Sequence, residues 1–476
     1  MAPKFGTSGL RGLVRELSAS LVTDYTHAFL TTVRCDRLYA GRDLRPSSPG
    51  IVRSVCRAAS EAGVEVVDCG TIATPALAFS SLAAGAAAIM VTGSHVPADR
   101  NGLKFYLPDG EVLKADEAKI GAAYVNGSRR KAARSGTIRS DMSAERHYVA
   151  RYVTGFGPGA LKGLRLGVYR HSSVARDTFG QILKRLGAEV VELGHSEVFV
   201  PVDTEAIDRK TAYNLRDWSQ NHRLDAIVSS DGDADRPMLT DATGKLISGD
   251  ILGVLTARIL KAKSVVTPVS SNDMVRRLPM FEEVILTKIG SPFVLEAMAK
   301  AKHAEVVGFE ANGGFILGFE ATVFGPLAPL PTRDAMLPIL GSLLAAKRAD
   351  CSLAELVAGL PPCVSVSDRL QRVDLDKARA FLSELIEDRT ARAAFFASLG
   401  EISSADLTDG LRVTFTSGEV LHLRPSGNAP EFRIYAQSAS ESRAQALVRV
   451  ARETVGCILK SPKPQKAQIP DPDHQD

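Results

Sequence analysis

Three aspartates at alternate positions, Asp231, Asp233 and Asp235, carry the most direct chemical message in this chain. They stand in Asp231-Gly-Asp-Ala-Asp-Arg236, where small intervening residues let the backbone curl and turn three carboxylates toward one point. Carboxylates grouped this way repel one another unless a positive charge sits among them. All-oxygen ligation suits a hard cation such as Mg²⁺. A plain acidic turn is the alternative. An EF-hand is excluded, because that loop needs Gly at its sixth position and Glu at its twelfth, where this chain has Arg236 and Ala242.

Ser94 is the candidate nucleophile. It lies in Thr92-Gly-Ser-His-Val-Pro97, just after the apolar run Ala86–Val91, which reads as a buried strand. A bare hydroxyl is weak and needs a base or a metal to activate it; a polar loop serine is the bland alternative. The aspartates likewise follow a strand-like run, Leu224–Ser230. Both motifs therefore fall beyond the carboxyl ends of strands, where open α/β sheets bind their ligands. Phe5-Gly-Thr-Ser-Gly-Leu-Arg-Gly12 offers Thr7, Ser8 and Arg11 as an anion-binding loop, although such clusters are often just turns. Glu310-Ala-Asn-Gly-Gly-Phe315 sets a carboxylate and an amide in a glycine turn, a pairing suited to vicinal hydroxyls. Arg424-Pro-Ser-Gly-Asn428 with Arg433 makes either a phosphate cradle or a hairpin loop with incidental charges.

The elements that must position these groups alternate. Strands near Arg37–Asp43, Val64–Asp68 and Ala86–Val91 are separated by helical stretches such as Pro49–Ala62. The same alternation recurs through Leu164–Tyr169, Glu189–Leu193 and Leu224–Ser230, and again through Ser264–Val269, Glu283–Leu286 and Glu305–Phe309. Ser94, Asp231 and Lys288 each follow a strand in successive α/β units with mostly parallel sheets. From about Val364 the strands lie close in sequence, which predicts a small α+β domain with antiparallel pairing and a closing helix at Ser440–Cys457. The expected division is 1–150, 151–254, 255–363 and 364–458, with a disordered tail at 459–476.

Composition narrows the class. Hydrophobic residues at 45% and charged residues at 24% are ordinary for a chain with several real cores. A net charge of +4 over 476 residues gives no reason to expect a nucleic-acid partner. The six scattered cysteines lack zinc or disulfide spacing and read as reduced thiols. Without a signal-like start or a membrane-length apolar run, the expectation is a cytoplasmic chain with no membrane partner.

Taken together, five motifs in order resemble the α-D-phosphohexomutase family of phosphoglucomutases and phosphomannomutases: FGTSGLRG, TGSHVPADRNGLKFY, DGDADR, FEANGGF and RPSGNAPEFR. The resemblance covers the chain to about residue 455 and implies three similar α/β domains plus a smaller fourth around one cleft. It implies that Ser94 is the phosphoserine and that Asp231, Asp233 and Asp235 bind Mg²⁺ together with a phosphoserine oxygen. Lys104 matches a lysine suspected of acid–base work, and Arg11 lies beside the reacting phosphate. Arg236 sits near the same centre; His95 either orients the serine loop or makes a structural hydrogen bond. Thr287–Ser291, with Lys288, Gly290 and Ser291, corresponds to a sugar-recognition loop, and Glu310 with Asn312 to the hydroxyl-binding turn. Arg424, Ser426, Gly427, Asn428 and Arg433 fall on the loop for the non-reacting phosphate. A hexose 1,6-bisphosphate serves as intermediate and activator.

Departures from the family pattern fall mainly on recognition. The common T-A-S-H-N-P is Thr92-Gly-Ser-His-Val-Pro97 here, and Ala234 stands where glycine is usual. The frequent G-E-x-S-G-H becomes Phe309-Glu-Ala-Asn-Gly-Gly314, without the histidine. The implied activity is interconversion of hexose 6-phosphate and hexose 1-phosphate, with mannose as the first sugar. A phosphoglucomutase or dual enzyme comes next, then a phosphoglucosamine mutase; a phosphatase and a catalytically silent sugar-phosphate sensor are the readings from other classes. A monomer or homodimer is expected.

Overall fold

The structure, a computed structural model, describes residues 3–6, 8–426 and 430–460. Two compact units divide it, Met1–Pro362 and Cys363–Asp476.

The first unit contains three mixed sheets built to one plan. In the first, Ala87–Val91, Arg37–Arg42, Glu65–Thr71 and Ile138–Ser140 run parallel, and Arg100–Leu107 joins Ala87–Val91 antiparallel. In the second, Glu189–Leu193, Arg165–Tyr169 and Ala226–Ser230 are parallel, and Pro237–Leu239 closes antiparallel on the last. In the third, Glu283–Thr287, Ser264–Pro268 and Val306–Phe309 are parallel, and Phe315–Leu317 folds back on the last. In each sheet the parallel set is followed by a reversed strand. The second sheet stops there, whereas antiparallel strands continue beyond it in the first (Leu10–Leu13, Lys4–Phe5) and the third (Leu330–Asp334). The loop that makes the reversal carries Ser94 in the first, the three aspartates in the second, and Glu310 in the third.

The central strands are buried on both faces, which is why they read as unbroken apolar runs: Ala87–Val91 and Ala226–Ser230 are buried at every position. Arg100–Leu107 is also buried from Asn101 to Tyr106, but its two faces differ in character. Leu103 and Phe105 enter the core with Phe29, Val55 and Ile89, so Lys104 and Tyr106 must face the other way. That alternation aims the lysine.

The second unit is a five-stranded antiparallel sheet in the order Val364–Gln371, Glu431–Ser438, Val420–Pro425, Leu411–Phe415, Ile402–Asp406. Helices Leu375–Glu387, Arg389–Phe396 and Glu441–Lys460 accompany it, and Phe381, Phe396, Phe415, Phe432 and Leu447 form its core. The α+β expectation for this region holds. No helix among the described residues is long and apolar enough to cross a membrane. The tail beyond Lys460 and the positions Thr7, Gly427 and Asn428 lie outside the described residues.

Candidate active site

Ser94 is held in the left-handed region at φ 55°, a conformation that costs a residue with a Cβ about 1–2 kcal/mol. The surrounding bonds enforce it. Its N–H donates to Thr92 Oγ1 at 2.8 Å, and Thr92 in turn donates to Asp43 at 2.8 Å. Arg45 does most of the holding. Its guanidinium donates to the carbonyls of Ser94 (2.9 Å), Val96 (2.5 Å), Pro97 (2.7 Å) and Arg100 (3.0 Å), and it pairs with Asp43 at 3.1 Å. Phe199 covers its face at 4.2 Å. A Cβ on Gly93 would lie 2.6 Å from Arg45 Cζ, so the glycine at this departure leaves the arginine room. The result is a rigid loop with a buried serine.

Ser94 Oγ donates to Asp231 Oδ2 at 2.5 Å. The aspartate loop curls as its sequence suggests: the N–H groups of Asp235 and Arg236 both donate to Asp231 Oδ1 at 3.2 Å. Ala234 takes φ 62° in this curl, where glycine would be unstrained. Gly232 allows close approach, since a Cβ there would stand 2.8 Å from the Ser94 carbonyl oxygen. Thr74, from the first sheet's domain, bonds Asp233 twice, by N–H to its carbonyl at 2.9 Å and by hydroxyl to Oδ2 at 2.5 Å.

The three carboxylates present oxygens within 4.8 Å of one another and are buried. Oδ1 of Asp233 and Oδ1 of Asp235 have no hydrogen-bond partner among the described residues. Burial and then the charges of Asp233 and Asp235 push the Asp231 carboxyl well above its usual range. Converging, buried carboxylates, two of whose oxygens accept no hydrogen bond among the described residues, fit a hard divalent cation. Asp231, Asp233 and Asp235 are the residues that would hold it, beside Ser94.

Cations balance this cluster. Lys104 Nζ lies 2.6 Å from Asp233 and 2.5 Å from Asp235. Burial opposes its charge, but those two carboxylates prevail and hold it above the ordinary lysine value. Arg236 Nε lies 3.8 Å from Asp235 Oδ1. Burial, Arg236 and Arg333 bring the partly exposed Arg11 down to about 10. His95 has its Nδ1 3.3 Å from Ser94 Oγ, and burial followed by the repulsion of Arg236 and Arg11 keeps its ring neutral. Counting Arg11, Lys104, Arg236 and Arg333 against Asp231, Asp233, Asp235 and Glu310, four cations meet four carboxylates.

Two members of this centre escaped the sequence reading. Arg333, on the strand Leu330–Asp334, is 2% exposed and reaches Asp235 at 2.6 Å, Glu310 at 3.2 Å and Ser8 Oγ at 3.3 Å. Glu111, at the turn after Arg100–Leu107, accepts from Ser291 Oγ at 2.9 Å and from Thr332 Oγ1 at 2.6 Å. It thereby ties the Thr287–Ser291 loop to the strand bearing Arg333. Asn312 is nearly buried and caps its own turn, accepting from Gly314 N at 2.9 Å. Lys288 differs: it is exposed, its Nζ 6.0 Å from the Phe293 ring.

The C-terminal loop is a separate group. Ser426 N–H donates to Glu431 O at 2.8 Å, Arg424 lies 3.3 Å from Asp409, and Arg433 lies 3.6 Å from Glu431. This unit holds two arginines and a hydroxyl on adjacent strands, since Arg424 pairs with Arg433 in register.

The domain models of phosphoglucomutase/phosphomannomutase match this chain three times: alpha/beta/alpha domain I over residues 2–131, domain II over 148–244 and domain III over 248–363. The chain belongs to the phosphoglucomutase/phosphomannomutase family. It is therefore a phosphohexomutase, an isomerase that moves a phosphoryl group within a hexose phosphate, and its family uses a metal ion. A phosphomannomutase of Sinorhizobium fredii is 44% identical over 94% of this chain and 98% of its own length. A phosphomannomutase of Salmonella muenchen is 41% identical, covering 96% and 95%. A phosphoglucosamine mutase of Thermobifida fusca is 30% identical, covering 94% and 96%. Among solved structures, a phosphoglucomutase/phosphomannomutase family protein from Burkholderia thailandensis shares the fold at TM-score 0.75 and 22% identity, covering 95% and 97% of the two chains.

Proposed function

We propose that this phosphohexomutase interconverts mannose 6-phosphate and mannose 1-phosphate, with Ser94 as phosphoryl carrier and a hexose 1,6-bisphosphate as intermediate. The observation that carries the reading is the 2.5 Å bond between Ser94 Oγ and Asp231, which joins the nucleophile to a converging carboxylate cluster. Mannose is favoured by the two phosphomannomutases at 44% and 41% identity, against 30% for the phosphoglucosamine mutase.

In this reading the Ser94 phosphoryl group passes to the free hydroxyl of a hexose monophosphate. The bond from phosphorus to Ser94 Oγ breaks as the bond to the sugar oxygen forms; the sugar hydroxyl gives up its proton and Ser94 Oγ takes one up, so no net proton is released. The bisphosphate then returns its other phosphoryl group to Ser94 by the reverse step. Such transfer depends on positioning and charge neutralisation more than on covalent chemistry. Mg²⁺ held by Asp231, Asp233 and Asp235 would stabilise charge on the phosphoryl oxygens. Arg11 and Arg236 hold the phosphoryl oxygens, and Lys104, kept protonated, donates toward the oxygen that leaves phosphorus. His95, kept neutral, orients Ser94. Thr7, Ser8, Lys288, Gly290, Ser291, Glu310 and Asn312 bind the sugar end, and Arg424, Ser426, Gly427, Asn428 and Arg433 take the non-reacting phosphate. The four-part division at 150, 254 and 363 and a cytoplasmic location complete the proposal.

The test is a mutase assay with Mg²⁺ and catalytic hexose 1,6-bisphosphate, comparing mannose 1-phosphate with glucose 1-phosphate. Turnover favouring mannose is expected. Glucose-favoured turnover would replace the substrate and keep the mechanism, and turnover of glucosamine phosphate alone would move the enzyme to that branch.

A further inference from the structure

The turn Glu310–Gly314 and the strand Leu330–Asp334 are brought side by side by the register that pairs Phe315 with Asp334. The turn is closed on itself: Gly313 N–H donates to Glu310 O at 2.8 Å and Glu310 N–H to Gly314 O at 3.2 Å. A Cβ on Gly314 would lie 2.6 Å from Arg333 Cδ, 3.0 Å from its Cγ and 3.2 Å from its Cβ. The stem of Arg333 therefore fills the space that any side chain at 314 would take. The strand beneath it is fixed, because Tyr148 donates to Asp334 at 2.7 Å, Tyr152 donates to the same carboxylate, and Asp334 accepts from Met336 N–H at 2.8 Å.

The guanidinium at the end of that stem is the only described group that contacts the N-terminal loop at Ser8, the aspartate loop at Asp235 and the recognition turn at Glu310 together. Its planar fork can serve all three at once, whereas an ammonium on a similar stem offers a point charge without that geometry. Asp235 also has Lys104 at 2.5 Å, so loss of the arginine leaves it paired. Glu310 has no second ion pair among the described residues. The contact with Glu310 is thus where the arginine matters most.

We propose that Arg333 is a positioning residue for the mutase reaction: it fixes the Glu310 carboxylate relative to the aspartate loop, and Gly314 is the space its stem requires. This rests on the reading of Glu310 as the carboxylate that binds sugar hydroxyls. Arg333 acts through Glu310 and does not itself carry the phosphoryl group.

Three variants test this: Arg333→Lys, Gly314→Ala and the double variant. Each is assayed for kcat and KM with mannose 1-phosphate and for thermal midpoint, and the same changes are placed on Ser94→Ala for calorimetric binding of mannose 6-phosphate. Arg333→Lys is expected to keep the midpoint within a few degrees while KM rises about tenfold or more and kcat changes much less. Gly314→Ala should shift KM the same way by displacing the stem. The double variant should be no worse than the poorer single, because both act through one contact. Unchanged KM in Arg333→Lys, or losses that follow the thermal midpoint and multiply in the double variant, would overturn the inference. Were the parent enzyme to turn over no hexose phosphate, the proposed function would fail and binding would decide. Weaker binding in Arg333→Lys than in its parent would then uphold the positioning role. Equal binding, or none in either, would overturn it.

Discussion

The centre around Ser94 and the arginine loop of the C-terminal unit use similar residues at different depths. In the first, Lys104 and Arg333 side chains are 5% and 2% exposed and their partners are buried carboxylates. In the second, the Arg433 side chain is 39% exposed and lies 3.6 Å from Glu431, while Arg424, 14% exposed, lies 3.3 Å from Asp409. Buried ion pairs are costly to break once made, and removing one partner strands the other. Exposed pairs are worth little and exchange partners readily. The first region suits a reacting group that must meet fixed charges. In the proposed function the second, with its less buried arginine, takes a phosphate that must arrive and leave.

The sharpest break in this comparison is Ser94→Ala. Mutase activity should fall by about 10⁴-fold or more, as when other enzymes lose their nucleophile, while the thermal midpoint stays near the parent value. Retained turnover would remove Ser94 from the carrier role. Chelation followed by dialysis should silence the parent enzyme as well, with activity returning on added Mg²⁺. Arg424→Ala probes the other region. A lost charged hydrogen bond to a phosphate should raise KM about 10–100-fold with kcat nearly unchanged. A fall in kcat alone would contradict an easily exchanged site.

Protons distinguish the two units more gently. His171 in the first unit bonds Ser230 O at 2.8 Å, and His422 in the second bonds Asp409 O at 2.5 Å. Burial lowers each from 6.5 to about 4. The unfolded chain therefore takes up protons first as the solution is acidified. Stability from each neutral ring is present in full above about pH 6.5 and lost as pH falls through about 4, at most about 3 kcal/mol per ring. Urea unfolding at pH 7 and pH 4.5 checks this, with Trp218, the only tryptophan, reporting on the first unit. His171→Gln should flatten the tryptophan-detected dependence and leave the second unit's unchanged. The smallest effect is expected from Ala234→Gly. Relief of the left-handed strain is largely cancelled by glycine's greater freedom in the unfolded chain, leaving under about 1 kcal/mol of stabilisation. A loss of stability in urea would show that the alanine methyl packs usefully.

The loops of the site were legible because their residues are conspicuous where they stand: alternating aspartates, or a serine after an apolar run. The residues that brace them were not. Arg45, Glu111, Thr74 and Arg333 read as ordinary loop or strand residues, and their partners lie 49, 180, 159 and 98 positions away at Ser94, Ser291, Asp233 and Asp235 respectively. Only folding reveals such pairs. The antiparallel Arg100–Leu107, Pro237–Leu239, Phe315–Leu317 and Leu330–Asp334 went unread. The parallel strands Arg37–Arg42, Glu65–Thr71 and Ala87–Val91 and their counterparts in the next two sheets were read within about three residues, since unbroken apolar runs survive burial on both faces. The helix Ala19–Thr32 was missed for the same reason in reverse. It buries Val22, Tyr25, Thr26, His27, Ala28, Phe29 and Leu30 in near succession, which erases the one-sided stripe that announces a helix.

The three reversing loops occupy one topological position repeated in three sheets, yet each carries a different kind of residue: a hydroxyl, a set of acids, a lone carboxylate in a glycine turn. A site assembled this way is modular in form. If the roles proposed above hold, a change confined to the third loop and its bracing arginine can alter the sugar accepted while the hydroxyl and the acids, held on separate loops, keep their places.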